Sequence, residues 1–235
     1  MFDVQVLASS SRGNCYRVTD GSAPLLLECG IKFSDIRQGL NFRVSELAGC
    51  LCSHEHADHS KSVPDMMKAG ITCYMSKGTA DALGVSGHRV HTIKAMEQFT
   101  IGTWTILPFE TVHDAAEPLG FLLVSKYGDR ILFATDTAYI KVRVNGLTAI
   151  MIECNYAKDI LDANIEAGVV PVEMRHRLIR SHMSLETVKG FLKANDLSQV
   201  REVWLTHLSG DNSDAERFKR EVQALTGIAT YIAQE

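Results

Sequence analysis

Short apolar runs, alternating or continuous, recur along this chain, and most are closed by Gly, Pro or Ser. Runs of that length and boundary predict β-strands. They fall at 2–8, 15–19, 24–28, 49–52, 72–75, 89–92, 98–100, 104–109, 120–125, 130–134, 149–153, 202–206 and 229–232. Helical periodicity predicts helices at 34–40, 59–68, 77–82, 155–167, 185–194 and 214–225. Ser184 stands as an N-cap before the fifth of these, with Thr187 three residues on, and Asn212 and Ser213 precede the last. Short strands crowd the first 135 residues, and strands then alternate with helices. That order suits two sheets with helices packed outside them. No linker, repeat or low-complexity stretch interrupts the pattern, so residues 1–235 read as one domain.

Composition adds limits to that picture. Hydrophobic residues make up 46% of the 235 and charged residues 22%, which is ordinary for a globular domain with a full core. No run of 18 apolar residues occurs, so no membrane-spanning helix and no membrane partner are expected. The opening Met1-Phe2-Asp3-Val4-Gln5-Val6 has neither a basic n-region nor an apolar h-region, and a cytoplasmic location is the expectation. The six cysteines form no C-x-x-C pair. They read as reduced core thiols and give no structural zinc site. A net charge of −4 makes no global electrostatic case for nucleic acid.

The candidate chemistry is concentrated in Ser53-His54-Glu55-His56-Ala57-Asp58-His59. Imidazoles and carboxylates at this density, beside the apolar run 47–52, carry a heavy desolvation cost unless something binds them. A divalent cation is the simplest partner. In an extended segment His54 and His56 share a face, while Asp58 and His59 lie past a turn and reach towards a second ion. Two ions need more ligands than these. His113, Asp136 and His207 each follow an apolar strand, where open sites are commonly built. His88 and His91 have no such company and read as structural or exposed.

With those residues in view, the chain resembles the metallo-β-lactamase superfamily. Its H-x-H-x-D-H signature is matched by His54, His56, Asp58 and His59, and its later His, Asp and His by His113, Asp136 and His207. The resemblance implies an α/β (α+β) fold, a four-layer αββα sandwich with two mixed sheets face to face. It also implies a dinuclear centre in which His54, His56 and His113 hold one ion, Asp58, His59 and His207 the other, and Asp136 bridges them. Redox di-iron members typically carry Glu where this chain has His56, which favours hydrolysis. Zn²⁺ or Mn²⁺, with Fe²⁺ also compatible, suits a His/Asp set without thiolate.

Several stretches look like the WalJ (YycJ-like) nuclease branch of that superfamily. They are Leu7-Ala8-Ser9-Ser10-Ser11-Arg12-Gly13-Asn14, His113-Asp114-Ala115-Ala116-Glu117-Pro118, Ile152-Glu153-Cys154-Asn155 and His207-Leu208-Ser209-Gly210-Asp211-Asn212. Ser10 and Ser181 stand where that branch usually has Gly. Neither is a ligand, though substrate-binding loops diverge faster than metal shells. His182 resembles the His that phosphodiesterase branches place beside their metals, suited to hydrogen-bond a phosphate oxygen or protonate the leaving alkoxide. Arg175, Arg177, Arg180, Lys189 and Lys193 surround it against Glu186 alone, a cationic strip fit for a polyanion. Phe191 is the one ring in that span, so base stacking is poorly provided for. Ser11 and Asn14, in a turn able to offer backbone N–H groups, are candidate substrate contacts. Asp114 is a candidate to orient the His113 imidazole.

The resulting expectation is a phosphodiester hydrolase, a DNA exonuclease using two metal ions and a bridging hydroxide. Asp58, Asp136 and His182 would be its catalytic residues and nucleic acid its substrate, DNA ahead of RNA. Two competitors stand beside it. One is a small-molecule hydrolase acting on an ester, lactone, thioester or cyclic phosphodiester, which needs an apolar pocket in place of the basic strip. The other is a nucleic-acid-binding scaffold with a silent site, against which the complete ligand set argues. Polarity of digestion, pathway and oligomeric state leave no mark in the sequence.

Overall fold

The computed structural model describes residues 2–234. They divide into two compact units interleaved in sequence. The first comprises residues 2–110, 115–129 and 234, and the second residues 111–114 and 130–233. The chain passes between them after Glu110, after Asp114, after Asp129 and before Gln234. A division interleaved in this way leaves no single boundary along the sequence.

The first unit opens with a six-stranded sheet in sequential order: β1 (Asp3–Ser10), β2 (Gly13–Thr19), β3 (Leu25–Leu27), β4 (Gly49–Leu51), β5 (Cys73–Ser76) and β6 (Val90–Ile93). β1 and β2 form a hairpin whose Ser10–Gly13 pair closes over Ser11 and Arg12. From β3 onward the pairing is parallel. Parallel strands are covered on both faces, and so they read as continuous apolar runs instead of alternating ones. Cys29, Cys50, Cys52 and Cys73 lie in the core beneath this sheet with Leu26, Ile36, Val63 and Met66. All six cysteines are buried and free. A second set of strands in this unit, β7 (Phe99–Ile101), β8 (Trp104–Glu110) and β9 (Leu119–Ser125), pairs antiparallel.

The second unit is built on four parallel strands: β10 (Arg130–Ala134), β11 (Ala149–Glu153), β12 (Glu202–Thr206) and β13 (Ala229–Ile232). Every residue of β11 is buried. Among the described residues no helix is long and apolar enough to cross a membrane.

Four helices follow the sequence reading closely: α1 (Phe33–Gly39), α4 (Lys77–Leu83), α7 (Leu185–Ala194) and α8 (Ala215–Thr226). Ser184 caps α7 by accepting from Thr187 N. The last helix is instead capped by Asp214, through Arg217 N. Three departures have physical causes. The helix expected at 59–68 is two pieces, α2 (Ala57–Ser60) and α3 (Val63–Lys68). Pro64 sits in the first turn of α3, where its missing N–H costs nothing, and Ser62 turns away to bond Cys29 O and Ile31 O. The helix expected from 155 starts later, as α5 (Lys158–Glu166), because Asn155 is committed to His207 and Tyr156 bridges to Ser184. A further helix, α6 (Val172–Ser181), was not anticipated, since its three arginines and histidine break up the apolar period.

The His54–His59 segment is held in place by the chain that leaves β3. Cys29 N donates to His59 O at 2.8 Å and Gly30 N to Asn14 O at 2.9 Å. Gly30 lies so close to the motif that a Cβ there would stand 1.7 Å from Asp58 O. Gly30→Ala must therefore push α2 away, and we expect a loss of about 2–3 kcal/mol. Gly190, on the open side of α7 with nothing within 4 Å of a Cβ, gives the opposite sign. Gly190→Ala should stabilise by about 0.5–1 kcal/mol through helix propensity. Urea unfolding of both variants checks the pair; equal effects of one sign would refute the close-approach argument.

Candidate metal centre

Site side chains come from strand ends, and several sit on strained backbone. Glu28 follows β3 with φ of 62°, Asp136 follows β10 with φ of 40°, and His207 follows β12 with φ of 53°. Non-glycine residues avoid this region, so each marks a place where surrounding structure imposes the conformation. Glu153 ends β11 itself. Carboxyl ends of parallel strands are where α/β sheets commonly place their chemistry.

In the first unit, His54, His56 and His59 crowd together. The His54 ring lies 4.6 Å from that of His56, nearly perpendicular, and 4.3 Å from that of His59. His56 has extended backbone at the mouth of α2, which brings its ring beside His54 as the alternation of the motif requires. Asp58 Oδ2 stands 3.3 Å from His59 Nε2, and Glu28 Oε2 3.6 Å from His59 Nδ1. Ser53 Oγ lies 2.9 Å from His54 Nδ1, and Ser53 N points at both Glu28 oxygens. Glu28 is wholly buried, so a carboxylate supports the motif from below. Its sequence signal was the Glu that ends the run Leu25-Leu26-Leu27 before Cys29-Gly30.

In the second unit, His113 Nδ1 donates to Ser181 O at 2.8 Å. That fixes the tautomer and turns Nε2 towards Asp136 Oδ2 at 3.5 Å and Asp114 Oδ1 at 3.4 Å. Burial lowers the His113 pKa and outweighs the opposing Asp136 charge and Ser181 bond, so the imidazole is held in the neutral form a ligand needs. His207 Nδ1 stands 3.5 Å from Asp136 Oδ1, with Asn155 Nδ2 at 3.1 Å. Donor atoms of Asp136, Glu153, His182 and His207 all lie within 4.8 Å of one another.

These spacings bear on whether a cation fits. Donors bound to one ion at about 2.1 Å stand roughly 3–3.5 Å apart, wider than a hydrogen bond. The His113–Asp136 and His207–Asp136 approaches have that spacing, and the donors are nitrogens and carboxylate oxygens with no thiolate among them. The His and Asp groups present are able to bind metal ions, and the chemistry of the set fits a borderline or hard divalent cation.

His182 is bound differently. Its Nδ1 donates to Glu153 Oε2 at 3.0 Å, while the other Glu153 oxygen accepts from Thr137 N in a short contact. Its ring stacks on His207 at 5.5 Å and meets His113 edge-on at 5.2 Å. Burial opposes a charge on His182, but the Glu153 charge and hydrogen bond, with Asp136 and Asp114 behind them, raise its pKa to about 9. Glu153, fully buried, received no role from the sequence, although it ends the apolar run of β11 as Glu28 ends that of β3.

The basic residues are less uniform than their spacing suggested. Arg175 Nε is bound to Asp162 at 2.9 Å, Arg177 Nε faces Asp114 Oδ2 at 3.4 Å, and Lys189 pairs with Glu221 at 2.8 Å. Arg180 is exposed on α6. Ser11 is exposed at the hairpin tip. Asn14 is wholly buried, and its amide donates to Ser10 O at 3.0 Å and Asp58 O at 3.3 Å, so it braces the motif. Asp114 does lie against His113, as the sequence reading expected of an orienting residue.

Two mixed β-sheets with helices match the αββα sandwich, and the family match makes the chain a metallo-hydrolase of that class. The chain belongs to the β-lactamase superfamily: the model of the Beta-lactamase superfamily domain matches residues 25–208. It is 25% identical to the exodeoxyribonuclease YycJ of Bacillus anthracis over 235 residues, covering 92% of this chain and 86% of that one. It is likewise 25% identical to the exodeoxyribonuclease WalJ of Streptococcus pneumoniae D39 over 232 residues, covering 92% and 84%. Among solved structures, the metallo-β-lactamase fold protein YhfI of Bacillus subtilis superposes with a TM-score of 0.76 at 15% identity, over 99% of this chain and 96% of that one.

The raised pKa carries a stability consequence in metal-free protein. Folding raises the His182 pKa from about 6.5, so its contribution is complete below pH 6.5 and is lost as pH rises through about 9. We expect chelator-treated protein to weaken across that window, and Glu153→Gln to remove the dependence while lowering the His182 titration seen by NMR. An unchanged titration in Glu153→Gln would refute the assignment.

Proposed function

We propose that this chain is a phosphodiesterase with a dinuclear metal centre, and that its substrate is DNA degraded from an end. His54, His56 and His113 are read as holding one ion, Asp58, His59 and His207 the other, with Asp136 shared. Bound ions of this kind supply Lewis acidity and lower the pKa of water, and Zn²⁺ or Mn²⁺ suits the donors, with Fe²⁺ compatible. The family match and the order of the ligands support this set. The two exodeoxyribonuclease relatives support the choice of DNA over RNA.

The observation that carries the reading is the Glu153–His182 pair. Glu153 accepts a hydrogen bond from His182 Nδ1–H, which leaves Nε2 free of Glu153, and in the protonated ring Nε2–H is a donor. A pKa near 9 keeps that proton in place at neutral pH until a strongly basic alkoxide accepts it. A phosphodiester releases such an alkoxide. The ring lies beside His113 and His207, so the donated proton arrives where the scissile bond would be held. Asp58 and Asp136 complete the reading as carboxylates that orient the attacking water. Lactam or thioester hydrolysis has no need of the pair.

His182→Ala should keep its metal by elemental analysis and lose about 10²–10⁴-fold in turnover on DNA. Cleavage of 5′-phosphorylated duplex DNA, single-stranded DNA, RNA and bis(p-nitrophenyl) phosphate, each with Mn²⁺ or Zn²⁺, tests the reading as a whole. Preferred turnover of an ester or thioester would replace it by the small-molecule reading. No turnover of any substrate by metal-loaded protein would leave the scaffold.

A further inference from the structure

The α6 helix is joined to the site at its last turn. Ser181 O holds His113, the next residue is His182, and Arg177 Nε reaches Asp114 Oδ2. Its inner side packs Leu178 against Tyr156, Leu161 and Val170, with the Arg175–Asp162 pair beside them. The other side is open. Val172 is 57% exposed and Ile179 41%, seven residues apart and therefore on one stripe, with Val169 at 63% just before the helix. Exposed His176 continues that stripe, and exposed Arg180 flanks it. Arg180 has no acidic partner among the described residues, whereas Arg175 and Arg177 are both engaged. Glu173 is the acid on this helix, in the first turn and far from the site.

We infer that α6 is the track for the nucleic-acid strand running away from the scissile phosphate, with Arg180 gripping a backbone phosphate and Val172 and Ile179 packing against sugars and base faces. This rests on the phosphodiesterase reading of the same site. The cation lies at the end nearest His182, where a phosphate adjoining the cleaved one would come. From Arg180 to Val172 the helix rises about 12 Å. At about 3.4 Å per stacked nucleotide that spans three or four units of a strand. Of the three arginines, Arg180 is the one whose charge is available to a polyanion. Aliphatic side chains offer no hydrogen bonds to base edges, so the track carries no sequence readout.

The test separates binding from chemistry. Fluorescence anisotropy of a labelled 20-mer single strand is measured with the EDTA-treated full chain across about 50–200 mM salt. Arg180→Ala should weaken binding about five- to tenfold and flatten the salt slope by about one unit. Val172→Ser/Ile179→Ser should weaken it about threefold with the slope unchanged. Hydrolysis of bis(p-nitrophenyl) phosphate with Mn²⁺ is followed alongside, and Val172→Ser/Ile179→Ser should retain it within twofold, while Arg180→Ala should lose less there than on the strand. Variants that bind the strand like wild type overturn the inference, even where phosphodiester cleavage stands. Equal losses on the strand and on bis(p-nitrophenyl) phosphate also overturn it, since they would mean a disturbed site. A change in sedimentation of Val172→Ser/Ile179→Ser with strand binding intact overturns it in favour of a contact between copies of this chain. Strand binding that depends on Arg180 in a protein that cleaves no phosphodiester supports the track and overturns the enzymatic reading instead.

Discussion

Buried carboxylates are the constraint from which the rest of this molecule follows. Glu28 and Glu153 are wholly enclosed and Asp136 nearly so, each at or just past the end of a strand. A carboxylate taken out of water must be met by hydrogen bonds or opposite charge. Glu28 receives the backbone of Ser53 and faces His59, and Glu153 receives the backbone of Thr137 and the imidazole of His182. Each unit thus carries one glutamate beneath its histidines. The histidines above share the remaining demand with whatever cation they hold.

This arrangement explains why strained backbone is tolerated at Glu28, Asp136 and His207. A positive φ costs such residues about 1–3 kcal/mol each, and it persists only where neighbours leave no alternative. Cys29 N on His59 O, Asn155 on His207 O and the close approach of Gly30 to Asp58 are such neighbours. Strain, close backbone contact and buried charge coincide because all three serve to aim side chains from strand ends.

The same logic divides the basic residues. Where an acid lies within reach, as for Arg175 and Lys189, the cation joins helices to one another; where none does, as for Arg180, it faces solvent near the site. His182 shows a related division within one ring. One nitrogen is committed to Glu153, and the other is left free of that pairing.

The sequence by itself determined the strands, most helices and the family, and it pointed to seven candidate ligands, because each of these is a local pattern. Continuous apolar runs mark parallel strands whatever their neighbours, and the density of imidazole and carboxylate within His54–His59 stands out in any setting. It left α6 unseen, since that helix is held by Leu178 on Tyr156, Leu161 and Val170 and by Arg175 on Asp162, contacts made by distant segments. It also gave no role to Glu28 or Glu153, because a glutamate ending an apolar run looks like any strand terminus until the histidine it supports is placed against it. Which arginine carries an available charge was likewise decided in three dimensions. Charge counts along a chain add all cations alike, whereas folding pairs some of them with acids brought from elsewhere.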